Sequence, residues 1–291
     1  MTILNEAVTA TITVPGAVLT YDVRPGPSVE PALLLIGSPM GAGGFATLAS
    51  HFPERTIVTY DPRGVERSTK DDPTSESTPR QHADDVHRVI EAVGGGPVDL
   101  FASSGGAVNA LALVASHPND VRTLVAHEPP LAGLLPDRDG ALAAARAVAD
   151  AYQASGFGAG MARFIGVVSH QGRFDPDWIM QPAPDPVMFG LPTEDDGDRT
   201  DPLLFQNIIT CTHFEPDVAA LRATPTRIVI AYGAESGETL AARAARALAE
   251  MLESAAVVFP SDHGGFLGGE YGQAGDPEAF AARLREVLAS G

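Results

Sequence analysis

Phe101-Ala102-Ser103-Ser104-Gly105-Gly106 is the stretch that decides how this chain folds. The residues before it, Pro97 to Ala102, read as a strand, and those after it, Ala107 to Ser116, as a helix. A serine on a sharp strand-to-helix turn needs small residues two places before and two places after it. Larger side chains there would collide with the strand or the helix, hence the usual pattern G-x-S-x-G. Ala102 takes the first small position and Gly106 the second, with Ser104 between them. Reading Ser103 as the nucleophile would put Phe101 where a small residue is required. Such a turn lifts the Ser104 hydroxyl above the sheet at a helix N-terminus, where the Gly105 amide can donate to a developing oxyanion.

Outward from this turn the chain alternates. Thr9 to Val14 and Ala17 to Arg24 flank Pro15-Gly16 as a hairpin. Ala32 to Ile36 is a continuous apolar run, as in a strand covered on both faces. Phe45 to Phe52 reads as a short helix, Arg55 to Tyr60 as a strand, and Val65 to Ser77 as loop. Thr78 is placed to cap a helix that Pro79 opens and Gly94-Gly95-Gly96 closes. Val121 to Ala126 is a further strand. The alternation then breaks: Ala141 to Ala154 reads as an Ala-rich helix, and Gly156 to Pro202 as a Gly/Pro/Asp-rich region. It resumes with Arg227 to Tyr232, Thr239 to Leu252, Ala256 to Phe259 and Pro277 to Ala289 as strand, helix, strand and helix. The fold class is therefore α/β: a mostly parallel central sheet with an N-terminal hairpin and an inserted helical lid. Residues 1–130 and 213–291 are expected to form the core, and 131–212 the lid.

Composition narrows the function. Hydrophobic residues make up 44% of the 291, enough for a sizeable core. The formal net charge is −18 and Lys70 is the only lysine, so nucleic acid and membrane surfaces are poor partners and a small-molecule substrate is expected. A homodimer is left open. Cys211 is the only cysteine, which excludes an intrachain disulfide, and its ordinary surroundings make it a buried small apolar residue. Met1 to Ala10 has no basic region or apolar core, and a cytoplasmic location is expected.

A serine nucleophile needs a base, and the base needs an orienting acid. His263 lies in Ser261-Asp262-His263-Gly264-Gly265-Phe266, directly after the last strand, and is the candidate base. The acid is displaced. At the end of the strand after the lid, Tyr232-Gly233-Ala234-Glu235-Ser236, Ser236 stands where an Asp is usual, and Glu235 is one residue out of register. The alternative is Glu128 in His127-Glu128-Pro129-Pro130, one helix and one strand after Ser104, which returns it to the same sheet edge one strand over, ~5 Å away laterally. Glu128 is preferred, and His127 is expected on the opposite face. The second oxyanion donor should follow Ile36-Gly37, making Ser38 the candidate; Pro39 has no N–H, and Met40 is the fallback.

Together Ile36-Gly37, Asp61-Pro62-Arg63-Gly64, Ala102-Ser103-Ser104-Gly105-Gly106 and Asp262-His263 resemble the α/β-hydrolase superfamily over nearly the whole chain outside the lid. More narrowly, Ser103-Ser104-Gly105, His127-Glu128-Pro129-Pro130, Gly233-Ala234-Glu235-Ser236 and His263 resemble zearalenone lactone hydrolases, which also carry a Glu after the strand that follows the nucleophile helix. That resemblance implies Ser104, Glu128 and His263 as a triad, Gly105 and Ser38 as the oxyanion hole, and Trp178 as the counterpart of a lid tryptophan that contacts substrate. The lid sequence does not align, and Gly264 to Gly275 is richer in glycine, so the triad carries over better than the substrate.

The expected function is that of a serine hydrolase cleaving an ester or lactone of a small to medium apolar substrate through an acyl-enzyme, with no cofactor. Met40, Trp178, Met180 and Phe189 are candidate substrate contacts; Phe164, Met188 and Phe205 are further lid residues that could line a pocket or form lid core. A non-hydrolytic lyase, cyclase or ligand receptor on the same fold is the alternative. Gly41-Ala42-Gly43-Gly44-Phe45-Ala46 matches G-x-G-x-x-A with Asp61 roughly 20 residues on, the mark of a dinucleotide-binding oxidoreductase. The first Gly follows Ile36 too late for the tight turn, however, and the chain begins with a hairpin. His82, Asp85 and His87 share a helix without sharing a face, and no metal is expected there.

Overall fold

The computed structural model describes residues 6–290. Its sheet has nine strands in the order β1-β2-β4-β3-β6-β7-β8-β9, with the short β5 beside β2. These are β1 (Val8–Val14), β2 (Ala17–Arg24), β3 (Leu33–Ile36), β4 (Ile57–Tyr60), β5 (Thr69–Lys70), β6 (Val98–Ser103), β7 (Val121–His127), β8 (Arg227–Gly233) and β9 (Val257–Phe259). The β1–β2 hairpin is antiparallel and joins β4 antiparallel; every pairing from β4 through β9 is parallel. The expected α/β-hydrolase fold, mostly parallel with an N-terminal hairpin, is thus present. The stretch read as loop from Val65 to Ser77 holds one small addition, β5, which pairs with Ala17 and Val18.

The helices are α1 (Ala46–Ser50), α2 (Pro79–Ala92), α3 (Gly105–Ser116), α4 (Arg138–Ser169), α5 (Pro176–Ile179), α6 (Ile208–Thr212), α7 (Val218–Ala223), α8 (Leu240–Met251) and α9 (Pro277–Ala289). Thr78 caps α2, its side chain accepting from the Gln81 amide, and Pro79 sits in the first turn. Strand β3 explains its own apolar run. Leu34 and Ile36 pack into the core shared with α2, α3 and α8, while Leu33 and Leu35 pack into a second core with α9. Alternate side chains face opposite sides of a sheet, so a strand covered on both faces must be apolar throughout. At ~1.5–3 kcal/mol per buried Leu or Ile, such strands anchor the sheet.

From residue 128 to 226 the described chain adds no strand to the sheet, and helices α4 to α7 fill the interval. Here the sequence reading needs correction. The Ala-rich helix expected over Ala141 to Ala154 is longer: α4 runs on to Ser169 through a break at Gly156, whose φ is +78°. Glycine in this extension serves packing: a Cβ on Gly158 would lie 1.7 Å from the Pro192 carbonyl oxygen. Among the described residues, no helix is long and apolar enough to cross a membrane. Of the N-terminal stretch used for the localisation reading, Met1 to Asn5 lie outside the described residues.

Candidate active site

Parallel strands present their C-terminal ends on one edge, and in open α/β sheets that edge is where ligands bind. Ser103 pairs with His127, and His127 with Ala231, so the ends of β6, β7 and β8 lie side by side. Ser104, Glu128, Gly233 and the loop carrying His263 all emerge there.

Ser104 caps α3 with φ +56° and ψ −125°, a conformation that costs a non-glycine residue of order 1–3 kcal/mol. Its amide donates to the His127 carbonyl at 2.9 Å, tying the turn to β7. Ser103 is buried, whereas Ser104 keeps partial access to solvent, which favours the register with Ala102 and Gly106 as the small residues. Gly106 is required by contact: a Cβ there would stand 2.7 Å from Gly37 Cα and 2.8 Å from the Ile36 carbonyl oxygen. Among the described residues, Ser104 Oγ makes no hydrogen bond to His263; contacts of this type tighten when substrate binds.

Glu128 is wholly buried and also has positive φ, +50°. Its amide donates to the Ala231 carbonyl at 2.9 Å, and its Oε1 accepts from the Gly233 amide at 2.8 Å. Its Oε2 lies 2.5 Å from His263 Nδ1. Gly233 makes this possible, since a Cβ on it would lie 2.7 Å from the backbone of Asp262. Burial works to raise the Glu128 pKa, but the His263 hydrogen bond, with the charges of His263 and His127, overcomes it and holds the carboxyl down at about 2. An ionised carboxylate only accepts, so Nδ1 of His263 carries the proton and Nε2 is the basic nitrogen. Desolvation pulls the His263 pKa down; the bond to Glu128 and the charges of Glu128 and Asp262 outweigh it, and the net shift is upward. The ring still reaches water, its side chain being 46% exposed.

The other sequence-level acids stand apart. Glu235 is exposed, and Glu238 pairs with Arg246 at 2.8 Å. Ser236, where an Asp is usual, is buried with no well-aligned partner for its hydroxyl, and its effect on Glu128 is the smallest of those acting. His127 packs among Phe101, Phe259 and Phe280, with its ring 6.1 Å from that of His263, and desolvation lowers its pKa to about 4, leaving it neutral near pH 7.

Neither the Ser38 amide nor the Gly105 amide donates to an acceptor among the described residues. The two residues touch: a Cβ on Gly105 would lie 2.4 Å from the Ser38 carbonyl oxygen. Asn207 is a site residue that no sequence signal marked. It sits at the end of a π-helical turn, Pro202–Asn207, and its Oδ1 accepts from Ser38 Oγ at 2.8 Å. Irregular helical turns of this kind recur at functional sites. Cys211 is buried as expected, its Sγ 3.4 Å from the same Oδ1, and desolvation pushes its pKa up to about 12, which makes it inert.

The expected substrate contacts are only partly gathered. Met40 packs over Gly37 and Gly44 beside the core, next to Ser38. Trp178 is half-buried in a cluster with His170, Phe174 and Arg163. Met180 is 83% exposed and Phe189 39%, so both point to solvent rather than into a pocket. They stand on or beside the short turns 176–179 and 186–189, which bury nothing of their own. Phe164 and Phe205 pack against the main core, and Met188 is exposed. A cleft of about 390 Å³ near Asp22, Arg24 and Arg67 contains none of the triad candidates.

The glycines of the dinucleotide-like signature do not form a strand-to-helix phosphate turn. Ala42–Phe45 forms a short 3₁₀ turn after Gly41, and Asp61 is fully buried, accepting from the Ala42 amide at 2.8 Å and from Arg67 at 2.6 Å. Of the helical trio His82, Asp85 and His87, Asp85 is committed to Arg63, and His82 is buried apart. His87 joins His117 and Asp120 in a group whose ligand atoms lie within 4.8 Å of one another and could hold a metal. The two imidazoles stack face to face, 3.9 Å between centroids, and would have to turn to aim at one ion.

The model for the alpha/beta hydrolase fold matches residues 31–183. The chain is 31% identical over 271 residues to the Uncharacterized hydrolase YraK of Bacillus subtilis (strain 168), covering 91% of this chain and 92% of that one. Among solved structures it is similar to a putative aryl esterase from Burkholderia cenocepacia, with 18% identity, TM-score 0.65, and 97% and 98% of the two chains covered. It is also similar to a thermophilic esterase from Thermogutta terrifontis, with 19% identity, TM-score 0.64, and 98% of each chain covered. The strand order, the strained serine turn and these relationships agree: the chain belongs to the alpha/beta hydrolase family.

Proposed function

We propose that this α/β-hydrolase is a serine enzyme that cleaves an ester or lactone through Ser104, His263 and Glu128. The bond between His263 Nδ1 and Glu128 Oε2 is the observation that carries the reading. It leaves Nε2 as the base. His263 Nε2 takes the Ser104 proton as Oγ attacks the carbonyl; the Ser38 and Gly105 amides receive the oxyanion. The imidazolium returns the proton to the leaving oxygen, and a water activated by the same nitrogen then cleaves the acyl-enzyme. Glu128 stays ionised throughout and stabilises the imidazolium. Placement of the acid after β7 supports the lactone-hydrolase branch, and residues 131–212 act as the lid over the core. A panel of esters and lactones of graded size tests this, run on the wild type and on Ser104→Ala. Hydrolysis by the first and not by the second is the expected result; turnover retained in Ser104→Ala would remove the serine from the mechanism.

A further inference from the structure

A second cleft, of about 250 Å³, lies between the loop after β4, the start of α2 and the π-helical turn Pro202–Asn207. The chain has 37 acidic residues against 19 basic ones. Yet no carboxylate lines this cleft, whereas Arg63 and Lys70 do. Arg63 is already neutralised by Asp85, through two bonds of 2.6 and 2.7 Å. Lys70 has only neutral partners: its Nζ donates to the Ser75 carbonyl and, at 3.4 Å, to Gln206 Oε1. Asp72 and Glu76 act on it from beyond ion-pair range and lie outside the lining.

His82 supplies the second observation. It is 2% exposed, lines the cleft, and neither ring nitrogen has a partner. Buried polar atoms are normally satisfied, and leaving them unpaired is costly. Burial and the charges of Arg63 and Lys70 hold the ring neutral, so it offers one N–H donor. Ser77, just before the Thr78 cap, and His82, at the start of α2, both line the cleft, which therefore sits by the positive end of a helix. An ammonium without an anionic partner and an unused imidazole donor, both lining one cleft, match one common group, a carboxylate, which takes charge from the first and a hydrogen bond from the second.

The cleft also touches the reaction centre. Asn207 lines it, and that same side chain accepts the hydrogen bond from Ser38. One side chain separates the cleft from a candidate oxyanion donor.

We propose that this cleft binds a carboxylate of the substrate, held by Lys70 and His82, so that the enzyme selects esters or lactones bearing an acid group on a short arm from the scissile carbonyl. This rests on the hydrolase reading above and replaces the expectation of a wholly apolar substrate.

Two matched pairs test it. On the acyl side, the mono-4-nitrophenyl ester of glutaric acid is compared with 4-nitrophenyl butyrate; on the alcohol side, 4-acetoxybenzoate is compared with phenyl acetate. The acid-bearing member of at least one pair should show a kcat/KM about tenfold higher or more. Lys70→Met should collapse that ratio toward one, chiefly through KM. His82→Leu should reduce it, and His82→Gln, which keeps a donor, should restore part of it. Equal kcat/KM within both pairs, or a ratio unchanged by Lys70→Met, overturns the proposal while leaving the hydrolase reading intact. If the wild type hydrolyses none of the four, the hydrolase reading fails, and calorimetric titration with glutarate decides the cleft. Binding that is lost in Lys70→Met sustains it, and absence of binding to the wild type overturns it.

Discussion

Glu128 and His263, 135 positions apart in the chain, meet at 2.5 Å. The carboxylate that makes this contact is buried, backed by the Gly233 amide, and set on a backbone with positive φ. Ser261, two residues before His263, has φ +64° as well. Ser104, Glu128 and the loop carrying His263, the proposed nucleophile, acid and base, are therefore each attached through a residue held in a conformation that L-residues rarely adopt. Such strain persists only where surrounding structure over-determines it.

The first expectation concerns the acid. Glu128→Gln should keep the shape and lower kcat by about 10³–10⁴, because the amide can hold the wrong imidazole tautomer and cannot stabilise the imidazolium. Glu235→Ala, at an exposed position, should leave kcat within about twofold. Steady-state kinetics on the two variants check this, and the opposite ranking would move the acid to the end of β8.

The pH profile offers a second check. Catalysis needs neutral His263 Nε2, and Glu128 raises the pKa of this ring above the ordinary 6.5. The acid limb of kcat/KM should therefore fall above pH 6.5 in the wild type, with activity lost as pH drops through it. Replacing Glu128 by Gln removes the negative charge, and the residual activity should show the limb displaced to lower pH. A limb that stays in place would detach Glu128 from the base.

Stability should fail in acid. Glu128 has a folded pKa of about 2, below its ordinary 4.5, so the stability it contributes is complete above 4.5 and lost as pH falls toward 2. His127 and His82 are buried neutral, with pKa values of about 4 and about 3 against 6.5. A folded state that binds fewer protons than the unfolded one loses stability as pH falls below 6.5, so all three groups act in the same sense. The Tm should decline steadily from about pH 6.5 to pH 3, and His127→Leu should flatten the part of the decline above pH 4. Scanning calorimetry across that range measures it; an unchanged slope in His127→Leu would contradict the assignment.

Much of this site was legible in the sequence because its parts are local. The turn at Ser104 announces itself through Ala102, Gly106 and the flanking strand and helix. His263 is marked by the strand before it. Glu128 was marked as a candidate because one helix and one strand return the chain to the neighbouring position on the same edge, a consequence of parallel topology. Asn207, Lys70 and His82 carried no legible signal for the parts proposed for them: they come to the second cleft from a π-helical turn, a two-residue strand and a helix start that no periodicity joins. The helix beyond Gly156 was hidden for a different reason. Glycines that disfavour helix in isolation are tolerated there because neighbours such as Pro192 come too close for a side chain. Met180 and Phe189 were apolar residues in the expected lid segment, but their own side chains are exposed.

Gly106 links fold to site and gives a stability test. Gly106→Ala places a Cβ against the backbone of Gly37 and Ile36, which cannot yield as a side chain would. A loss of about 1–3 kcal/mol is expected, with Tm falling by roughly 2–4 °C per kcal/mol. Gly133→Ala, where nothing lies within 4 Å, should stay within about 0.5 kcal/mol. Thermal denaturation of the two variants compares them; equal losses would mean that the tight turn is not what Gly106 serves.

The central claim is that Ser104 is a nucleophile activated by His263. Labelling the intact protein with a fluorophosphonate and mapping the modified peptide by mass spectrometry tests it most directly. One adduct on Ser104, lost in Ser104→Ala and strongly slowed in His263→Ala, is the predicted result. An adduct on Ser103, or a folded wild-type protein that never labels, would contradict it.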